Sequence, residues 1–119
     1  MLAGIIIGIT MNVFLGILLI SLSFPLLKGE ISRNASFGFR FPSAFQSDEI
    51  WNKTNHYGAK WLIRWSAALI ILSAASSSIL ALPIDKSIAV IVLISLPVVC
   101  ICVPMLQTYQ FSKHISAQS

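Results

Sequence analysis

Arg33 and Arg40 flank the turn-forming run Phe37-Gly38-Phe39, and Ser47-Asp48-Glu49 follows shortly after. A guanidinium is a planar fork that binds carboxylate or phosphate through two parallel bonds. Gly38 permits a backbone shape that other residues resist. Ser47 can cap the free amides of a helix start, and the two acids suit the positive end of that helix. Two readings of this group are open. Arg33, Arg40 and the helix start form a site for an anion or a protein partner. Alternatively, the arginines pair with Asp48 and Glu49 and fasten the loop internally.

Other chemistry is sparse. No nucleophile stands in order with a His and an acid, no spacing suits a metal, and no Gly-rich phosphate loop carries a Lys. The chain has four Asp and Glu residues, two of them adjacent. Cys100 and Cys102 point about 200° apart on a helix and cannot jointly hold a metal. They read as small apolar residues facing lipid or a neighbouring helix. The expectation is no enzyme, no cofactor and no metal. His56 is a polar anchor at the headgroups or a pH sensor. Trp51 is a structural wedge or, less readily, a recognition residue, and Asn34 and Asn55 are turn formers or ligands.

The elements that must position these residues are membrane helices. Of 119 residues, 56% are hydrophobic and 10% are charged. A soluble domain carries roughly 25% charged residues, so this apolar excess needs lipid as solvent. A spanning helix needs about 20 apolar residues. Three runs qualify: about 2–27, 61–82 and 84–109. The first and third exceed the bilayer and should tilt or protrude. None alternates as barrel strands do. No Lys or Arg precedes the first run, which is long for a signal peptide, so it is expected as a retained span. The fold class is an all-α membrane protein. Residues 1–119 form a single domain of three transmembrane helices, with a structured cytoplasmic loop and interfacial helix over 28–60 between spans one and two.

Charge gives the orientation. Lys28, Arg33, Arg40, Lys53, Lys60 and Arg64 share one side with Lys113, and only Lys86 lies on the other. Basic residues are retained in the cytoplasm. The N-terminus is therefore expected outside and the C-terminus inside. The net charge of +4 points to membrane lipid as the partner, with no nucleic acid.

Within the spans, Gly4, Gly8, Asn12 and Gly16 recur every four residues. That stripe suits close helix packing, with Asn12 as a hydrogen-bonding group in it. Ser73 to Ser78 offers a second small-residue surface. Pro83 ends span two, and Asp85 or Ser87 can cap span three. Pro97 and Pro104 bend it. From Ser47 the interfacial helix can run on into span two, with Gly58 as a weak or bent point. Glu49, Lys53, Tyr57, Lys60 and Arg64 form its charged face, with Trp51, Gly58 and Trp65 on another. Trp61, Trp65 and Tyr109 fall at the cytoplasmic boundary, where aromatic belts form.

Arg33-Asn34, Phe37-Gly38-Phe39-Arg40, Pro42, Ser47-Asp48-Glu49-Ile50-Trp51, Thr54-Asn55 and Gly58 follow a recurring order. It resembles the signature of the SdpI family of small bacterial membrane proteins. That signature is approximately Arg-Asn, aromatic-Gly-x-Arg-Thr-Pro, a Ser-acid-Glu-x-Trp helix start, a polar pair and a Gly. Phe41 departs from it, since Thr is usual there. The resemblance makes Arg33, Asn34, Gly38, Arg40, Pro42, Ser47, Glu49, Trp51, Asn55 and Gly58 the candidate ligand, partner or loop-structuring residues. It implies the bacterial inner (plasma) membrane as location. The family's founding member is an immunity protein against the cell's own antimicrobial peptide and a receptor that captures a repressor at the membrane. It has additional spans before the signature region. The implied function is immunity or resistance to a membrane-active peptide or toxin, with a peptide toxin or cytoplasmic regulatory protein as partner and signalling through the loop. A second class is open: a structural or accessory subunit of a larger membrane complex or homo-oligomer, suggested by the glycine stripe. A transporter component ranks lowest, because no acid lies deep in a span.

Overall fold

The computed structural model describes residues 2–83 and 85–118, with the backbone alone over 79–81. All regular structure among these residues is helical: α1 (Leu2–Leu27), α2 (Asp48–Ala75) and α3 (Lys86–Gln118). Two short 3₁₀ segments, Pro42–Gln46 and Ser76–Ala81, precede and follow α2. Among the described residues, three helices are long and apolar enough to cross a membrane. Lipid supplies no partners for backbone amides and carbonyls, so an apolar run of this length satisfies them within its own helix. The molecule measures 56 × 24 × 19 Å, well beyond the ~30 Å hydrocarbon core.

Neighbouring helices in the chain run antiparallel, which places α1 parallel to α3. Ile5, Ala89 and Leu93 are buried between α1 and α3, with Ile9 and Val90 beside them. Gly4 faces Val90 and Gly8 faces Leu93. At Gly16 the stripe meets α2 instead: a Cβ there would lie 2.5 Å from Ile70 Cγ1. Gly8 and Gly16 are therefore engaged inside the chain, while Gly4 remains exposed.

Asn12 has a particular task. Its Nδ2 donates to the Leu93 carbonyl at 2.9 Å. That carbonyl would ordinarily accept from the amide four residues on, but position 97 is proline, which has no N–H. Asn12 thus supplies across the helix pair the donor that Pro97 removes from α3. Pro97 and Pro104 both lie within one continuous helix.

The second span differs in form from the expected single helix over 61–82. From Ser76 the chain winds into a 3₁₀ turn. Ser76 Oγ donates to Ser73 O at 2.6 Å, and Ser78 Oγ to Ala75 O at 2.8 Å. These hydroxyls reach carbonyls three residues back, which favours the tighter winding. Only part of the small-residue surface packs: Ser73 and Ser76 are buried, whereas Ala74, Ala75, Ser77 and Ser78 are exposed.

The third span was expected to start at Ile84, which lies outside the described residues. Asp85 caps α3, its carboxylate accepting from Ser87 N at 2.9 Å. The Ser87 amide and hydroxyl hold the Asp85 carboxyl below its ordinary range. At the other end α3 continues past Tyr109, the expected limit, to Gln118. Contacts with the loop and with α2 support that extension: Ser43 Oγ lies 2.6 Å from Ser112 Oγ, and Phe111 stacks on Tyr57. Cys100 is buried and Cys102 exposed, as a two-residue step on a helix requires.

Candidate functional site

The signature residues gather where the 28–47 loop folds back on the first turns of α2. Ser47 opens that helix, its Oγ accepting from Ile50 N at 3.1 Å. Residues 51, 55, 58 and 59 then follow at helical spacing and face the loop. Trp51 is fully buried. Its Nε1 donates to Ile31 O at 2.9 Å, and its ring lies 5.2 Å from that of Phe45. Trp51 is the wedge its position suggested.

Asn55 holds one residue of the loop by its backbone. Its Oδ1 accepts from Phe39 N at 2.6 Å, and its Nδ2 donates to Trp51 O at 3.0 Å and reaches Phe39 O at 3.5 Å. Asn55 is buried, so these bonds replace water that cannot reach Phe39. Gly58 takes the Phe39 ring: a Cβ there would sit 2.5 Å from Phe39 Cε2. The expectation of a weak or bent point at Gly58 is corrected. The helix runs through it unbroken, and the residue is small because an aromatic ring lies against it. Phe39 joins Leu26 and Ala59 in a buried cluster that also draws in Phe37, Phe41 and Leu62.

Gly38 sits at φ +116°, a conformation that residues with a Cβ rarely adopt. An added Cβ would also approach Asn55 Oδ1 to 2.8 Å and the Trp51 ring to 3.1 Å. Asn34 closes the preceding turn. Its Oδ1 accepts from Ser36 N and Phe37 N, and its Nδ2 donates to Ser32 O and Phe37 O. Every polar atom of Asn34 thus serves the loop itself, as in an Asx turn. Pro42 begins the 3₁₀ turn, where a fixed φ and a missing N–H cost nothing.

The two arginines part company. Arg33 Nε pairs with Asp48 Oδ1 at 2.7 Å, and its Nη1 donates to Phe45 O at 2.9 Å. This is the internal fastening, although an exposed ion pair of this kind contributes only ~0.2–1 kcal/mol. Glu49 pairs with Lys53 at 2.8 Å rather than with an arginine, which corrects that half of the internal reading. Arg40 is exposed, and its Nη1 donates to Ala35 O. Both guanidiniums are exposed, but among the described residues Arg33 has a carboxylate partner and Arg40 has none.

Phe41, the departure from the signature, packs its ring edge-on against Tyr109 at 5.3 Å. It ties the loop to α3, a contact threonine could not make. The other face of α2 builds an aromatic and basic layer at the same end of the bundle. Tyr57 stacks on Phe111 at 4.1 Å with ring planes 3° apart. Lys60 lies over Tyr57 and Trp61, Arg64 over Trp61, and Lys113 over Tyr109. Trp65 Nε1 donates to Gln107 Oε1 at 3.2 Å. Trp61 and Trp65, one helical turn apart, and Tyr109 thus lie among the rings and cations of this end of the bundle. His56, on the same face, ties α2 to the end of α1: its Nδ1 donates to the Leu27 carbonyl at 2.9 Å. Sequence reasoning missed Phe39, the residue on which Gly38, Asn55 and Gly58 converge. The one available signal was its place between Gly38 and Arg40.

The arrangement offers hydrogen-bond donors and charge on a shaped surface. The model of the SdpI/YfhL protein family matches residues 30–106, a stretch that begins in the loop and ends within α3. No curated protein and no solved structure matches the chain.

Proposed function

The chain belongs to the SdpI/YfhL protein family, and from this premise we propose that it confers immunity or resistance to a membrane-active antimicrobial peptide or toxin. The observation that carries the reading is the convergence of the signature residues on one folded platform at the end of an apolar three-helix bundle. The bundle offers a lipid-level surface to a peptide acting in the bilayer. The platform offers the exposed Arg40 guanidinium to an acidic group on a cytoplasmic regulatory protein. This reading places the chain in the bacterial inner membrane, with the basic platform inside the cell and the N-terminus outside. It gives the chain no catalytic step and no cofactor.

The alternative of an accessory subunit or homo-oligomer was suggested by the glycine stripe, of which Gly8, Asn12 and Gly16 meet α2 or α3 of the same chain while Gly4 is exposed. With most of the stripe engaged within the chain, this reading ranks second.

A growth challenge tests the proposal. Cells expressing the chain should survive a membrane-active peptide that kills cells without it. Arg40→Ala should retain expression and helicity yet lose protection. Equal survival with and without the chain, across a panel of such peptides, would refute the reading.

A further inference from the structure

Beside the signature platform, a cavity of ≈ 570 Å³ opens between the end of α1 and the outer face of α2. Lys28, Lys53 and Lys60 line it, together with His56, Tyr57 and Phe111. We propose that it seats the phosphate headgroup of an anionic phospholipid.

Charge is the first argument. Lys53 is paired with Glu49. Among the described residues, no carboxylate lies within ion-pair distance of Lys28 or Lys60. Lysines beside a helix C-terminus often serve to offset its partial negative charge, but at α1 that charge is already engaged. Phe24 O accepts from Lys28 N, Pro25 O from Glu30 N, and Leu26 O from Gly29 N. Leu27 O accepts from His56 Nδ1. All four terminal carbonyls that a helix leaves unpaired thus have a donor; the Lys60 ammonium lies over the Tyr57 and Trp61 rings, and neither it nor that of Lys28 has a carboxylate to neutralise it, which leaves both charges to an outside anion.

Level is the second argument. The cavity begins at Leu27, where the uncharged, largely apolar run of α1 stops. Its floor holds the stacked Tyr57 and Phe111 rings, in the aromatic layer that marks a membrane–water boundary. A phosphate held by Lys28 and Lys60 therefore has hydrocarbon directly beneath it for acyl chains. A free phosphate shares the charge but gains nothing from that apolar neighbour, so the lipid is the occupant.

The test uses the full chain in neutral detergent, titrated with phosphatidylglycerol or phosphatidylcholine of identical acyl chains and observed by native mass spectrometry. At about 1 kcal/mol per lysine near an anionic surface, two lysines correspond to a preference for phosphatidylglycerol of roughly thirtyfold. K28Q/K60Q should abolish that preference, K28R/K60R should keep it, and Lys113→Gln, away from the cavity, should leave it unchanged. Excess inorganic phosphate should not displace the lipid. Equal retention of the two lipids by the native chain would overturn the proposal without recourse to any variant. So would a preference that survives in helical K28Q/K60Q, or displacement of the lipid by inorganic phosphate.

Discussion

Phe39 is held from three sides: its amide by Asn55, its ring by the missing side chain of Gly58, and its chain direction by the positive φ of Gly38. Each partner is of a type that physical chemistry demands. A buried amide needs an acceptor, because an unsatisfied buried donor costs about 1–3 kcal/mol. A ring lying on a helix backbone needs glycine beneath it. Gly58→Ala should therefore destabilise the protein by about 1–3 kcal/mol through overpacking, although alanine is the better helix former. Thermal unfolding in detergent, followed by circular dichroism, reads the loss. In Gly58→Ala combined with Phe39→Leu the clash is relieved, and the combined loss should be smaller than the sum of the two single losses. Additive losses would show that ring and glycine are independent. Gly38 was legible from sequence as a special backbone position. Gly58 was not, since a ring arriving from nineteen positions earlier leaves no trace in local propensity.

At the scale of elements, α1 was legible, because its apolar run and the helical element end together at Leu27. The extension of α3 to Gln118 was not, because polar residues after Tyr109 carry no hydropathy signal. Its helix rests on Phe111 against Tyr57 and Ser112 against Ser43, which are tertiary contacts. Asn12 and Pro97 were each visible in the sequence, but their relation was not, since it requires the register of α1 on α3. That relation makes a double-variant prediction. Asn12→Leu leaves the Leu93 carbonyl without its donor and should cost about 1 kcal/mol, within the range for interhelical hydrogen bonds in membranes. Pro97→Ala returns an amide to position 97, so Asn12→Leu in that background should cost markedly less. Unfolding of the four proteins in denaturant, read as a double-mutant cycle, checks this. An equal cost of Asn12→Leu in both backgrounds would show that Asn12 does not answer Pro97.

For the whole molecule, an apolar bundle carries a loop platform and an aromatic layer at one end. The signature residues mostly build the platform: Asn34, Gly38, Trp51, Asn55 and Gly58 are engaged within it, and the exposed Arg40 is what it presents. The functional proposal depends on which side of the membrane that end occupies. Cysteine labelling measures it directly. In a chain with Cys100 and Cys102 replaced by alanine, Ser36→Cys tests the platform end and Asp85→Cys the opposite end; both positions are exposed. A membrane-impermeant maleimide should label Asp85→Cys on intact cells and Ser36→Cys only after the membrane is opened. Labelling of Ser36→Cys on intact cells would put the basic platform outside the cell and contradict the account.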